Sequence, residues 1–157
     1  MDPAPLAALI IFGSALCSSS EAALFSAPLE KLHQLAKHDP AWSPALRVKE
    51  KITSSISSIV VFNNVINIGG SMIVGNIIAQ ESSNFTLGLF SAIFTMGIIT
   101  LGEIFPKILG EKWSLPYLKV VSPLILVLLF VLKPINACIE GSVKSFDKFC
   151  ISLKAML

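Results

Sequence analysis

Three apolar segments of the sequence each carry a cluster of polar side chains that are rich in oxygen. Hydroxyl, amide and carboxylate oxygens are the ligands that hard cations such as Mg²⁺, Na⁺ or Ca²⁺ prefer, whereas zinc and copper favour imidazole and thiolate. Inside a bilayer such side chains are unfavourable unless they face partners or a wet cavity. The three clusters are Ser18-Ser19-Ser20-Glu21, Asn63-Asn64 with Asn67, and Gly102-Glu103. Together they predict a cation site within a membrane.

Helical spacing places several of these side chains on common faces, because residues three or four apart in a helix are neighbours. The two groups that this spacing joins are Ser14 with Ser18 and Glu21, and Asn63 with Asn67 and Gly70. Pro106 lacks a backbone N–H, so in an α-helix the carbonyl of Gly102, four residues earlier, loses its partner. We expect that carbonyl and the Glu103 carboxylate to face the same cavity.

Each type of side chain also has a purely structural explanation. A serine in a membrane helix often donates to a carbonyl one turn earlier, and an asparagine can hydrogen-bond a neighbouring helix without binding an ion. Glu21 and Glu103 are merely solvated if they lie near the lipid headgroups. The spacing alone leaves these explanations open.

The composition indicates an integral membrane protein. Of the 157 residues, 54% are hydrophobic and 14% are charged, and the mean hydropathy is +0.76. A soluble domain carries about 25% charged residues, so this chain lacks the polar surface needed to face water on all sides. All twelve Lys and Arg lie within residues 31–51 and 107–154. This distribution is typical of sidedness in a lipid bilayer and not of a nucleic-acid-binding face, so no nucleic acid partner is expected.

Other classes of protein find no support in the sequence. It contains no nucleophile–base pair, glycine-rich phosphate loop or metal-hydrolase spacing, so we do not expect an enzyme. The three cysteines, Cys17, Cys138 and Cys150, are an odd number without metal-binding spacing. The apolar N-terminal segment lacks the preceding positive charge of a signal peptide. We therefore expect it to be retained as a helix.

Three segments are long enough to cross a hydrocarbon core of about 30 Å. They are residues 6–27, 52–79 and 85–106. Between the first two lies a polar connector, residues 29–51, in which we expect a short amphipathic helix, a break at Asp39-Pro40 and a second short helix. The positive-inside rule places this connector and everything beyond Lys107 in the cytoplasm. The N-terminus and the turn at 81–84 then face outside.

A fourth apolar run, residues 120–132, contains Pro123 and is flanked by Lys119 and Lys133. With only about 13 residues it is short for a span, and a crossing would put the following lysines outside. We expect a juxtamembrane interfacial helix on the cytoplasmic side. The predicted fold is an all-α, multi-pass protein of the cell inner (plasma) membrane with three transmembrane helices, a pair of short cytoplasmic helices between the first two, and this interfacial helix.

The polar clusters resemble the motifs of the CNNM/CorC membrane domain. Ser18-Ser19-Ser20-Glu21-Ala22-Ala23-Leu24 is similar to its S-G-S-E-T-A-L motif, and Phe62-Asn63-Asn64-Val65-Ile66-Asn67 to its G-N-N-L-V-N motif. Gly102-Glu103-Ile104-Phe105-Pro106-Lys107 is similar to its G-E-I-x-P-K motif. The three motifs come in the family's order, and the likeness covers about residues 5–135. Two departures are Ser19 and Phe62, which stand where the family has glycine.

The resemblance implies a homodimeric Mg²⁺ transporter or exporter, with Na⁺ as the counter-ion. Carried over from the motifs, the candidate ion ligands are Ser18, Ser20, Glu21, Asn63, Asn64, Asn67, Gly102 and Glu103. Residues 1–135 would form the transmembrane domain, and residues 136–157 a cytoplasmic C-terminal helix or linker. The family continues into a cytoplasmic CBS-type region, so nucleotide would bind only through a region absent from this chain.

The leading hypothesis is Na⁺-coupled Mg²⁺ efflux through an intramembrane site of oxygen ligands. The alternative is a membrane anchor and dimerisation platform for a cytoplasmic regulatory domain, in which the intramembrane polar groups only bond one another. The alternative predicts no ion flux and a site that tolerates loss of the Glu103 charge.

Overall fold

The computed structural model describes residues 3–81, 84–139 and 141–142, and every regular element in this part of the chain is helical. The α-helices are α1 (Ala4–Ser26), α2 (Leu29–His38), α3 (Ser43–Glu50), α4 (Ile52–Asn64), α5 (Gly70–Glu81), α6 (Asn84–Gly97), α7 (Phe105–Lys112) and α8 (Ser114–Val131). A π-helical segment, Val65–Gly69, joins α4 to α5, and a second, Ile98–Ile104, joins α6 to α7. The predicted all-α class is confirmed.

Four helices in the described part of the chain are long and apolar enough to cross a membrane. They are Ala4–Ser26, Ile52–Gln80, Thr86–Lys112 and Ser114–Val131. The second and third are composites in which a π-helical segment continues one α-helix into the next. The protein is therefore a multi-pass membrane protein with four candidate spans, and the three crossings that the sequence predicts are not confirmed.

The fourth candidate arises because α8 is longer than the apolar run suggests. It begins at Ser114 and has 18 residues, whereas the expected interfacial helix has about 13. Lys119 interrupts the apolar pattern but not the helix, because lysine is a good helix former. Its ammonium group reaches the Asp39 carboxylate, 3.0 Å away. Pro123 lies inside α8 without ending it.

The third helix also runs further than expected, through Pro106 to Lys112. Pro106 falls in the first turn of α7, directly after the π-helical segment. A proline is tolerated in the first turn of a helix, since an N–H at that position has no α-helical acceptor to lose. The helix thus continues beyond Pro106, where the sequence predicts the end of the third span.

The two short helices predicted in the connector are present as α2 and α3. Asp39 separates them: its Oδ1 accepts from the N–H of Ala41 at 2.9 Å and begins the 3₁₀ turn Pro40–Trp42. This bond, together with Lys119, holds the pKa of the Asp39 carboxyl below its usual value. Their placement on the cytoplasmic side stays a prediction.

Lys49, in α3, connects this helix to the end of α1 by hydrogen bonds. Its ammonium group donates to the carbonyls of Leu24 and Phe25 at 2.6 and 3.2 Å. The last carbonyls of a helix have no partner within the helix and carry partial negative charge, so a lysine there is favourable. Partial burial lowers the pKa of Lys49.

Helix α1 lies at the centre of the packing. Its second half joins an apolar cluster with α2, α3, α4 and α8, and its first half joins another with α5 and α6. It also approaches α7 closely, since a Cβ added at Gly110 would overlap the backbone of Ser19. Side chains on α1 therefore face every candidate span. The turn residues Ser82 and Ser83 and the C-terminal residues 143–157, to which sequence predictions also refer, lie outside the described residues.

Candidate intramembrane ion site

The side chain of Asn67 is the meeting point of three oxygen acceptors. Its Nδ2 donates to Ser14 Oγ at 3.0 Å, to Asn63 Oδ1 at 3.4 Å and to Glu103 Oε1 at 3.4 Å. Ser14 comes from α1, Asn63 from α4 and Glu103 from the second π-helical segment. Three different candidate spans thus direct oxygen atoms at one point.

That arrangement has the character of a cation site. An amide NH₂ is the positive end of its dipole, so it occupies the position that a cation would take among the three oxygens. The other end of the amide, Asn67 Oδ1, is buried and has no hydrogen-bond partner in the described part of the chain. Rotation of the amide would withdraw the donor and present Oδ1 as a fourth oxygen.

Both π-helical segments lie at this point, because Asn67 belongs to one and Glu103 to the other. A π-helical turn inserts one extra residue into a helix, which re-aims its side chains, and such turns are frequent at functional sites. The register is visible where the N–H of Phe105 donates to the carbonyl of Thr100, five residues earlier. Neither π segment is signalled by the hydrophobic pattern.

The π register changes the argument about Gly102. In an α-helix the carbonyl opposite Pro106 belongs to Gly102, but a spacing of five residues moves that position to Leu101. The role of the Gly102 carbonyl therefore stays a prediction. Gly102 itself is buried, and a Cβ at this position would come within 3.1 Å of Ser14 Oγ. Its lack of a side chain lets α1 approach the site.

Ser14 and Ser18 are the serines of α1 that bear most directly on the site. Both are fully buried, with 0% and 1% of their surface exposed. Ser18 Oγ has no hydrogen-bond partner in the described part of the chain, so its oxygen is available one turn beyond Ser14. Sequence reasoning placed Ser14 on the correct face but left it out of the candidate ligands, because it precedes the motif.

Ser19 and Ser20 face α8 instead. Ser20 Oγ donates to the carbonyl of Leu16 at 2.6 Å and Ser19 Oγ to that of Ala15 at 2.7 Å. Ser19 Oγ also lies 2.6 Å from the hydroxyl of Tyr117, a contact that sequence reasoning missed. The structure does not bring Ser20 to Asn67, and its hydroxyl shows the back-bonding to the preceding turn that is common for serine in helices.

Glu21 and Asn64 lie away from the Asn67 cluster in the described contacts. Glu21 Oε2 forms an ion pair with Lys107 Nζ at 3.3 Å, between the ends of α1 and the third span. Asn64 has an exposed side chain on the surface of α4. Among the described contacts, Glu103 is thus the one carboxylate of the Asn67 cluster. Its side chain is partly buried, and no described basic residue forms an ion pair with it.

Comparison with known proteins finds a matching family and a similar relative. Residues 5–150 match the family described as "CNNM: Cyclin M transmembrane N-terminal domain". The chain is also 40% identical over 107 residues to UPF0053 protein sll1254 of Synechocystis sp.. That alignment covers 68% of this chain but 31% of the relative, so the chain spans about a third of that protein's length.

Proposed function

This chain belongs to the CNNM transmembrane-domain family, and we propose that it moves Mg²⁺ across the membrane through the Asn67 cluster. The observation that carries the proposal is the convergence of Ser14, Asn63 and Glu103 oxygens on one point. Mg²⁺ takes six oxygen ligands in octahedral geometry and usually keeps several waters. Three protein oxygens, a rotated Asn67 amide and bound water supply such a shell.

Export of Mg²⁺ requires coupling to another gradient. Moving one charge across 100 mV is worth about 2.3 kcal/mol, so a divalent ion leaving a negative interior needs about 4.6 kcal/mol. We propose Na⁺ as the counter-ion, with Glu103 binding each ion in turn. Glu21 lies outside the cluster, where it pairs with Lys107. In this proposal it would bind Mg²⁺ at the connector end of the transport path when that ion pair opens.

We further propose three crossings, with α8 lying along the cytoplasmic boundary. Two contacts support this arrangement: Lys119 reaches Asp39 in the connector at 3.0 Å, and Asn136, just beyond the other end of α8, donates to Ser58 at 2.7 Å. A helix of 18 residues is about 27 Å long, but Ser58 is only about 9 Å from the start of α4. Both ends of α8 therefore lie near the connector side.

A homodimer in the inner (plasma) membrane completes the proposal. Gly69 and Gly75 have open space where a Cβ would project, and Ser71 with Gly75 has the small-xxx-small spacing that favours close helix packing. Met72 and Val65 on the same composite span are exposed. A second copy of the chain packing on this surface would cover them.

The test is Mg²⁺ flux into or out of proteoliposomes under an imposed Na⁺ gradient. We expect gradient-dependent flux that is strongly reduced in Glu103→Gln and unchanged in Glu111→Gln, which removes an exposed carboxylate from α7. Absence of flux from the wild type, or full flux from Glu103→Gln, would favour the alternative of an anchor. In that case the Asn67 hydrogen bonds would serve only to hold three helices together.

A further inference from the structure

A cavity lies between the start of α4 and the end of α8, away from the Asn67 cluster. Its volume is about 450 Å³, and its lining combines two lysines with an amide and apolar side chains: Lys51, Lys133, Asn136, Leu126, Leu129 and Phe130. The lysines come from segments that are 82 positions apart in the sequence (133 minus 51), so the fold brings two positive charges to one cavity. Its size falls within the range of small-molecule sites.

The two positive charges of this cavity have no carboxylate partner among the described residues. In the part of the chain that the structure describes, neither Lys51 nor Lys133 forms an ion pair with a carboxylate, and both side chains are exposed. Two ammonium groups that share a cavity repel each other unless an anion lies between them. The two lysines therefore favour the binding of a negatively charged group in this cavity.

Asn136 supplies a second, independent indication of a ligand. Asn136 is buried, with 5% of its surface exposed. Its Nδ2 donates to Ser58 Oγ at 2.7 Å. Its Oδ1 has no hydrogen-bond partner in the described residues. A buried acceptor without a partner is unfavourable, so a donor group such as a hydroxyl is needed beside it.

We propose that this cavity binds the headgroup of an anionic glycerophospholipid that carries hydroxyl groups, of the phosphatidylglycerol type. Its phosphate lies between Lys51 and Lys133, a headgroup hydroxyl donates to Asn136 Oδ1, and its acyl chains follow the apolar residues Leu126, Leu129 and Phe130. Basic pockets between membrane helices on the cytoplasmic side are typical sites for anionic headgroups.

A lipid fits this cavity better than a soluble anion. The apolar lining residues Leu126, Leu129 and Phe130 belong to α8, which also exposes the large apolar side chains of Val127 and Val131. A free phosphate would use the two charges but not the apolar wall. The inference depends on the membrane location of the chain and is independent of which ion it moves.

The experiment measures lipid binding to the purified full chain in detergent by native mass spectrometry. Phosphatidylglycerol and phosphatidylcholine with identical acyl chains are added in equal amounts to the wild type and to two variants. Lys51→Gln/Lys133→Gln removes the proposed phosphate contacts, and Lys31→Gln/Lys37→Gln removes two exposed charges from α2 as the matched control. All four substituted lysines are exposed, so both variants should fold.

We expect the wild type to bind phosphatidylglycerol at least tenfold more tightly than phosphatidylcholine. This preference should be lost in Lys51→Gln/Lys133→Gln and kept in the control. Equal binding of the two lipids by the wild type would overturn the proposal, as would an equal loss in both variants. Displacement of phosphatidylglycerol by millimolar glycerol phosphate would also overturn it, because it would assign the cavity to a soluble anion.

Discussion

Asn67 and Glu103 lie 36 positions apart and in different candidate spans, yet Asn67 Nδ2 donates to Glu103 Oε1 at 3.4 Å. Each residue belongs to a π-helical segment. Because the same amide also bonds Ser14 on α1, an ion that displaces it changes the contacts of three helices in one step. In the proposed function, ion occupancy would thereby be coupled to the packing of the bundle, which is the property that an alternating-access transporter requires.

The first prediction concerns the charge of Glu103. Glu103→Gln keeps the shape and one oxygen but removes the charge that offsets a divalent ion, and in a poorly solvated cavity that charge matters more than at a surface. We expect the Mg²⁺ affinity to fall at least tenfold, about 1.4 kcal/mol, in a calorimetric titration. Glu111→Gln is the control. An unchanged affinity in a folded Glu103→Gln would remove Glu103 from the site.

The second prediction separates ion binding from helix association at Asn67. Asn67→Ala deletes both the amide that joins three acceptors and the unpartnered Oδ1. We expect weaker Mg²⁺ binding with the oligomeric state unchanged, measured by titration and by light scattering in detergent. Asn76→Ala, an exposed asparagine of α5, is the control. Loss of the proposed dimer with unchanged Mg²⁺ binding per protomer would instead show that Asn67 serves only to hold helices together.

The sequence predicts much of this arrangement because the responsible signals are local. The apolar lengths give the first three candidate spans, and Asp39-Pro40 gives the break between α2 and α3. The spacing of Asn63 and Asn67 gives two members of the cluster.

The features that sequence reasoning missed depend on partners far along the chain. Lys119 in α8 pairs with Asp39, 80 positions earlier, and the hydroxyl of Ser19 lies beside that of Tyr117, 98 positions later. The π register at Glu103 shifts side chains by one residue, a displacement that hydrophobic periodicity does not encode. Ser14 was missed because the motif begins after it.

The third prediction tests the close approach of α1 and α7. A Cβ at Gly110 would overlap the backbone of Ser19, which cannot move as a side chain would. Gly110→Ala should therefore destabilise the protein by about 1–3 kcal/mol through overpacking, seen as a lower unfolding midpoint in detergent. Gly88→Ala is the matched control, since nothing lies within 4 Å of its added Cβ. A similar midpoint for both variants would contradict the packing.

The fourth prediction concerns the pH dependence of the contact between the connector and α8. The bond from Ala41 and the Lys119 ammonium lower the pKa of Asp39 below its ordinary value of 3.8. A carboxyl with a lowered pKa stabilises the folded state above the unfolded value, and that contribution disappears as the pH falls through the folded pKa. The Asp39–Lys119 pair should thus persist at pH 5 and be lost only below pH 3.8.

Trp42 reports on this contact, because Lys119 Nζ lies 4.9 Å from the centre of its ring. In a Trp113→Phe background, Trp42 fluorescence should change with a midpoint below 3.8, and Asp39→Asn should abolish that transition. A midpoint at or above the ordinary aspartate value would show that the bonds to Asp39 are absent in the protein in solution.

The last prediction decides between three and four crossings. Lys133 lies two residues beyond the end of α8, so it faces the cytoplasm if α8 lies along the boundary and the outside if α8 crosses. In a background without native cysteines, a membrane-impermeant maleimide applied outside should label Ser82→Cys but neither Lys133→Cys nor Lys37→Cys. Permeabilised cells should label all three, which verifies that the sites are reactive. Labelling of Lys133→Cys from outside would establish the fourth crossing. It would also contradict the contact of Asn136 with Ser58, because the end of α8 would then lie away from the connector side.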